Sequence, residues 1–203
     1  MNSPYQYKPI TQNNFRTIPQ LNALSEEDKF AIEVVSTVLP FRANNYVVNE
    51  LIDWSRVTDD PIYRLTFPQR NMLSPTHFQV VKDLLERGVT KRQLQTAANH
   101  IRWQLNPHPA GQLDHNRPML NGKPLRGLQH KYRETVLFFP SQGQTCHAYC
   151  TFCFRWPQFV GIDELKFGSR EVDELVAYLQ QHPEVTDVLF TGGDPLIMKS
   201  KNL

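Results

Sequence analysis

The chain has 203 residues, of which 40% are hydrophobic, 11% aromatic and 21% charged, with 22 basic against 20 acidic side chains and a formal net charge of +2. Disordered, collagenous and coiled-coil chains have different compositions, and so balanced a charge gives no footprint for nucleic acid. Runs such as Val136-Leu137-Phe138-Phe139 are too short to cross a bilayer, and the opening MNSPYQYKPI has neither the basic start nor the apolar core of a signal peptide, so the expectation is a soluble, cytoplasmic protein without a membrane partner.

Residues 1–24 are polar and aperiodic and read as a loosely attached leader. Ser25 can cap a helix whose first turn is acidic and whose apolar residues run from Phe30 to Val38, before Pro40 stops it. A short apolar stretch surrounds Leu51-Ile52-Asp53-Trp54. Asp59-Asp60-Pro61-Ile62-Tyr63 then reads as a turn leading to an extended piece that ends near Pro68. Ser74-Pro75 opens a second helix that Gly88 closes, and Thr90 with Gln93 forms a capping box for a third, running to about Leu105. The Pro-, Gly-, Asn- and His-rich stretch 106–131 is expected to be a linker, so that 25–131 is a helical region with its linker.

From residue 132 the pattern alternates. Glu134 to Phe139 reads as a buried strand, Ser169 to Gln181 as a helix with one apolar face, and Val185 to Phe190 as a second strand. Strand, loop, helix and strand make a βα unit, so the fold class expected is α/β with a parallel sheet. Two strands are too few for a parallel sheet covered on both faces. Either the N-terminal helices cover the sheet or the chain is a truncated part of a longer (β/α) barrel, and truncation is the expectation for 132–203.

The chemistry concentrates in Cys146, Cys150 and Cys153, the only cysteines, which follow the first strand with the spacing C-x3-C-x2-C. Three thiols so close are a poor disulfide framework. Structural zinc with His147 as the fourth ligand is disfavoured, because adjacent Cys146 and His147 fit one tetrahedron badly. Three thiolates on one loop can instead hold three corners of a 4Fe-4S cluster, leaving one iron with an open position, as a catalytic centre requires.

These residues resemble the radical S-adenosylmethionine enzymes, and more closely the lysine 2,3-aminomutase branch. The likeness rests on Leu51-Ile52-Asp53, Asp60-Pro61-Ile62 with Pro68, Gly127-Leu128 with His130-Lys131-Tyr132, the cysteine loop with Cys153-Phe154-Arg155, and Thr191-Gly192-Gly193-Asp194-Pro195-Leu196. It implies that the open iron chelates S-adenosylmethionine. Reductive cleavage then gives a 5′-deoxyadenosyl radical, and the amino group of an amino-acid substrate migrates while carried on pyridoxal 5′-phosphate. It also implies an electron donor of flavodoxin or ferredoxin type, and it leaves monomer and homo-oligomer open.

Residue by residue, the likeness gives Gly192, Gly193 and Asp194 to the methionine end of S-adenosylmethionine, although an ordinary strand-to-loop turn is the competing explanation. Glycines at a strand's carboxyl end let a ligand touch backbone. Arg155 matches a position that pairs with a substrate carboxylate, which a guanidinium fork suits, against the alternative of a surface arginine. Phe152 either stacks on adenine or shields the cluster. Lys131 and Tyr132 match part of a phosphate clamp for pyridoxal phosphate, but Thr135 stands where the branch has a second arginine, which weakens the anion site. The loop Pro140 to Gln144 is longer than the branch usually has, and Trp156-Pro157-Gln158 replaces a run of arginines. A divergent substrate, or chemistry without pyridoxal phosphate, is therefore the alternative expectation, and a non-catalytic metal-binding fragment is a further one.

Overall fold

The computed structural model describes residues 6–106, 115–161, 167–170 and 172–202. The chain divides into two compact units, Met1–Asn106 with His147–Trp156, and Pro107–Cys146 with Pro157–Leu203.

The first unit is built around α1 (Glu26–Val38). Ser25 Oγ accepts from Asp28 N at 3.1 Å, three acids occupy the first turn, and the helix ends before Pro40. Val34, Val35 and Val38 on this helix are fully buried, packed with Phe78 and Val81 of α3 (Pro75–Glu86) and Ala98 and Ile101 of α4 (Lys91–Leu105). Ile32 joins a second cluster with Phe15, Leu21, Phe41 and Phe67. With two apolar faces α1 becomes the centre of the unit, and burial of each such side chain contributes about 1.5–3 kcal/mol. Its last carbonyls are satisfied from outside: the buried Arg102 donates from Nε to Val38 O at 2.6 Å and from Nη2 to Thr37 O at 3.0 Å. Burial lowers the pKa of that guanidinium to about 10.

Two expectations change here. The leader is built in over 6–24: β1 (Pro9–Thr11) pairs antiparallel with β2 (Arg42–Asn44), and Ile10, Phe15, Leu21 and Leu24 are buried. Their spacing follows neither the helical nor the strand period, so periodicity could not reveal them. Where a turn over Asp59–Tyr63 and then an extended piece to about Pro68 are expected, the chain forms the short helix α2 (Pro61–Thr66). Asp60 caps it by accepting from Tyr63 N at 2.7 Å, and proline at the first helical position is the matching start signal.

The second unit holds a three-stranded sheet in the order β5 (Leu128–Tyr132), β6 (Thr135–Phe138), β7 (Asp187–Phe190). β6 and β7 are parallel with Thr135 opposite Asp187, and α5 (Val172–Gln181) lies between them in sequence. This is the expected βα pair in an α/β fold. Leu128, Val136, Phe138, Leu175 and Tyr178 form its core. The described part of the supposed linker is structured: β3 (Met119–Leu120) and β4 (Lys123–Pro124) form a hairpin, and β5 (Leu128–Tyr132) runs antiparallel to β6. Asn121 and Gly122, with φ of 50° and 76°, make the tight turn, an Asn-Gly signal that the linker expectation passes over. Residues 107–114 of that linker and the leader's first five residues lie outside the described residues. Among the described residues no helix is long and apolar enough to cross a membrane.

Candidate functional site

The cysteine loop starts where β6 ends. Beyond the buried Phe138 and Phe139 the chain makes a 3₁₀ turn over Ser141–Gly143 and reaches Cys146, which belongs to the second unit. The rest of the motif, His147–Trp156, belongs to the first unit and is tied down there by backbone bonds. Tyr149 N donates to Arg42 O at 2.7 Å and Thr151 N to Leu65 O at 2.8 Å, while Thr151 Oγ1 donates to Arg64 O at 2.7 Å. His147 O accepts from Tyr7 OH at 2.9 Å and from Asn44 Nδ2 at 3.2 Å. Thus β2 and α2 mount the loop. Cys153 N donates to Cys150 O at 3.0 Å, closing a tight turn between the last two cysteines.

No disulfide joins the three cysteines, of which Cys150 is exposed and the other two half-buried. Burial first, and the neighbouring Cys153 second, push the Cys150 thiol pKa above its ordinary value. A thiol held neutral in this way gains from a cation that binds it as the thiolate. In kind the donor set therefore fits an iron–sulfur cluster. Among the described residues, however, no group of three or more His, Cys, Asp or Glu is gathered closely enough to hold a metal ion.

The glycine pair lies in the second unit, at the carboxyl end of β7. Thr191 N donates to Phe138 O at 2.9 Å, carrying the parallel pairing one residue further. The chain then presses against the segment that leads into Cys146. A Cβ on Gly193 would meet Thr145 N at 2.6 Å and lie closer still to the carbonyl oxygens of Gly143 and Thr145. Gly192 has φ of 101°, with Gln144 and Phe139 against it. Asp194 N donates to Thr145 O at 2.8 Å, and Gln144 Nε2 donates to Thr191 O at 3.2 Å. Asp194 Oδ1 accepts from Leu196 N at 3.0 Å, capping the turn Pro195–Ile197. The glycines therefore have a packing reason of their own: they let the loop after β7 cross the backbone beside the first cysteine.

The other expected site residues are placed as follows. Arg155 is only 7% exposed, so it is not a surface arginine; burial lowers its pKa to about 10, against an upward pull from Cys153. Phe152, at 79% exposed, shields little by itself, and it lines an open cleft of about 380 Å³ with Leu39, Pro40, Met72, Cys150 and Trp156. Lys131 and Tyr132 end β5, with Lys131 Nζ 5.4 Å from the Tyr132 ring centroid. Tyr132 pairs with Thr135, at the start of β6, whereas the cysteine loop leaves the other end of that strand, three residues or about 10 Å away. The structure thus brings Gly193 and Asp194 to Thr145, beside Cys146, and sets Lys131 and Tyr132 at the opposite end of the sheet.

Sequence reasoning missed Asn44, Arg42, Leu65 and Thr145 as supports of the loop. Apart from the Asn44 amide they act through backbone atoms, which any side chain would supply. His130 and His182 also prove structural: His130 Nδ1 lies 2.6 Å from Tyr178 OH, and the His182 ring lies against Tyr178 with centroids 4.1 Å apart.

Comparison with known proteins gives a consistent set of relatives. The chain is 32% identical over 184 residues to an Aquifex aeolicus protein named "Putative L-lysine 2,3-aminomutase", covering 90% of this chain and 38% of that one. The L-lysine 2,3-aminomutase of Fusobacterium nucleatum is 34% identical over 158 residues, 77% of this chain and 35% of its own. That of Methanococcus maripaludis is 23% identical over 202 residues, 97% of this chain and 38% of its own. The chain therefore spans less than two-fifths of the length of these relatives. No protein-family model matches it, and no solved structure does.

Proposed function

We propose that the chain, whose relatives are named lysine 2,3-aminomutases, serves as the cluster- and S-adenosylmethionine-binding part of a radical enzyme of that kind. One juxtaposition carries the reading. A three-cysteine loop leaves β6, and the Gly192-Gly193-Asp194 loop leaving the parallel β7 is bonded to the residue just before its first cysteine. Ligand sites in parallel α/β folds form at this end of the strands.

Cys146, Cys150 and Cys153 are the cluster ligands in this proposal, and Arg155 holds a substrate carboxylate in its fork. The backbone of Gly192 and Gly193 offers hydrogen bonds to the amino and carboxylate groups of S-adenosylmethionine, with Asp194 contributing negative charge toward its ammonium. A bound 4Fe-4S cluster supplies one-electron reduction of that sulfonium, and pyridoxal phosphate supplies a carrier for the migrating amine. The chain's own work is positioning: β2 and α2 hold Tyr149 and Thr151, and Thr145 is held by Asp194. The amino-acid substrate, a flavodoxin- or ferredoxin-type donor and a cytoplasmic setting belong to the same proposal.

A second reading keeps the radical chemistry and drops pyridoxal phosphate. It is favoured by Thr135 in the phosphate clamp and by the position of Lys131 and Tyr132 at the far end of the sheet. Anaerobic reconstitution with iron and sulfide tests the shared core: a brown protein that releases 5′-deoxyadenosine on reduction with S-adenosylmethionine is expected. A colourless zinc protein without cleavage would defeat it. Brown protein that never yields 5′-deoxyadenosine would reduce the chain to a metal-binding module. Pyridoxal phosphate absorbance retained through gel filtration, and lost in Tyr132→Ala, separates the two radical readings.

A further inference from the structure

On the second unit a cavity is framed by two segments that cross in contact. Gly127 has φ of 68°, and a Cβ there would meet Gly168 C at 2.7 Å and Ser169 Cβ at 2.8 Å, so only glycine lets residues 123–127 lie on 168–170. The crossing is bonded through Phe139, whose N donates to Gly127 O at 2.9 Å and whose O accepts from Ser169 N at 2.8 Å. Ser141 N in turn donates to Ser169 O at 2.8 Å. This frame brings Arg126 and Arg170, each next to a crossing residue, to the same open cavity of about 420 Å³, with Lys123, Ser141, Ser169 and Glu174 also lining it.

Three cations face one carboxylate there. Among the described residues none of Lys123, Arg126 and Arg170 has a side-chain hydrogen bond or ion pair, and Glu174 is paired with none of them. Like charges around one concavity repel within a screening length of about 8 Å, and an anion seated among them reverses the sign of that interaction. The neighbouring cavity, about 250 Å³, shares Ser141, Ser169 and Arg170 but is otherwise walled mainly by apolar Phe138, Pro140, Val172 and Phe190. Phe138 and Phe190 are the last residues of β6 and β7, so the pair of cavities opens at the carboxyl ends of the parallel strands.

We infer that this paired cavity binds a small phosphate ester with an apolar body, its phosphate among Lys123, Arg126 and Arg170 and its body against Phe138 and Phe190. A dianion matches the excess of two positive charges, and two guanidinium forks suit phosphate oxygens; a monocarboxylate would occupy one fork and leave the other. The inference uses neither the cysteines nor the glycine pair, so it stands apart from the radical reading. The ester is a phosphorylated molecule distinct from the cofactor of the radical reading, which that reading assigns to Lys131 and Tyr132.

Calorimetric titration of the 203-residue chain with phenyl phosphate, inorganic phosphate and pyridoxal phosphate tests this. Phenyl phosphate is expected to bind roughly ten-fold more tightly than inorganic phosphate, because only the ester uses the apolar compartment. Arg126→Gln and Arg170→Gln are each expected to weaken it about ten-fold, with Arg126→Lys intermediate and Arg87→Gln, on the other unit, without effect. These cations are exposed, and unchanged circular dichroism in the variants checks the fold. Pyridoxal phosphate, an ester of the same chemistry, is expected to compete with phenyl phosphate in the parent chain and in Tyr132→Ala alike; competition lost in Tyr132→Ala would move the binding to the other end of the sheet and overturn the site. No saturable binding of either ester, or binding indifferent to the double variant Arg126→Gln/Arg170→Gln, overturns the site.

Discussion

Alanine at position 193 asks whether the glycine pair is there for a ligand or for the fold. A Cβ at this position would overlap Thr145 N at 2.6 Å and crowd the carbonyl oxygens of Gly143 and Thr145. All three contacts are backbone, so no flexible side chain can swing away to relieve them. Relief requires the loops to part, which breaks the 2.8 Å bond from Asp194 N to Thr145 O. Overpacking costs about 1–3 kcal/mol and the lost bond about 1 kcal/mol more, for roughly 2–4 kcal/mol in all. For a chain of this size each kcal/mol lowers Tm by about 2–4 °C, so Gly193→Ala should melt roughly 4–16 °C lower. Gly88→Ala is the comparison: φ there is 61° with nothing within 4 Å of the added carbon, so it carries backbone strain alone, about 1–2 kcal/mol. Thermal melts followed by circular dichroism, with no ligand added, measure both. If Gly193→Ala melts with the parent chain, the packing argument is wrong, and glycine at this position is required only by what binds beside it.

The other consequences are smaller and separable. Serine at any one of Cys146, Cys150 or Cys153 should abolish the brown chromophore and 5′-deoxyadenosine formation while changing stability by under about 1 kcal/mol, since none of the thiols is core; iron retained in stoichiometric amount by any one variant would count against three-cysteine ligation. Asp60→Ala removes the bonds to Tyr63 N at 2.7 Å and Asp53 N at 3.2 Å and should cost about 1–3 kcal/mol by chemical denaturation. Because α2 carries Leu65, whose carbonyl holds Thr151, the same variant should also lose reconstituted iron faster to a chelator. Glu184 is held below its ordinary value of 4.5 by the hydrogen bond with His182, so its contribution is present in full above pH 4.5 and is lost as pH falls through the lowered value. Glu184→Gln should flatten the stability profile on that acid side, lowering stability slightly at neutral pH and leaving it unchanged well below the lowered value.

Much of the helical architecture is legible because its signals are carried by side chains. Ser25, Ser74 and Thr90 each accept a bond from the backbone N–H three residues on, and the sequence names them at those positions. The parallel pairing of β6 with β7 follows from two apolar strands with an amphipathic helix between them. The leader misleads because Ile10, Phe15, Leu21 and Leu24 enter the core at irregular intervals through a short strand and two 3₁₀ turns, where no period exists to count. The hairpin at Asn121-Gly122 is legible but easily overlooked: strands two residues long carry no alternation to draw attention to the turn.

The candidate site divides along the same line. Its chemistry is written in residue types, three cysteines, two glycines, an aspartate and an arginine, and each can be found by eye. Its mounting is not. The loop from His147 to Trp156 is held largely by the carbonyl oxygens of Arg42, Arg64 and Leu65, and the loop after β7 by the carbonyl of Thr145. A carbonyl oxygen is common to all twenty residues, so substitution at these positions leaves the bond in place and the sequence records nothing of it. What the sequence does record is the exclusion of side chains where two backbones meet, and Gly193 and Gly127 are both of that kind. Both bring a second segment against the chain that leaves β6, one beside the first cysteine and the other at the cationic cavity. Glycines that flank a strand are therefore positions at which an amino-acid sequence betrays such crossings.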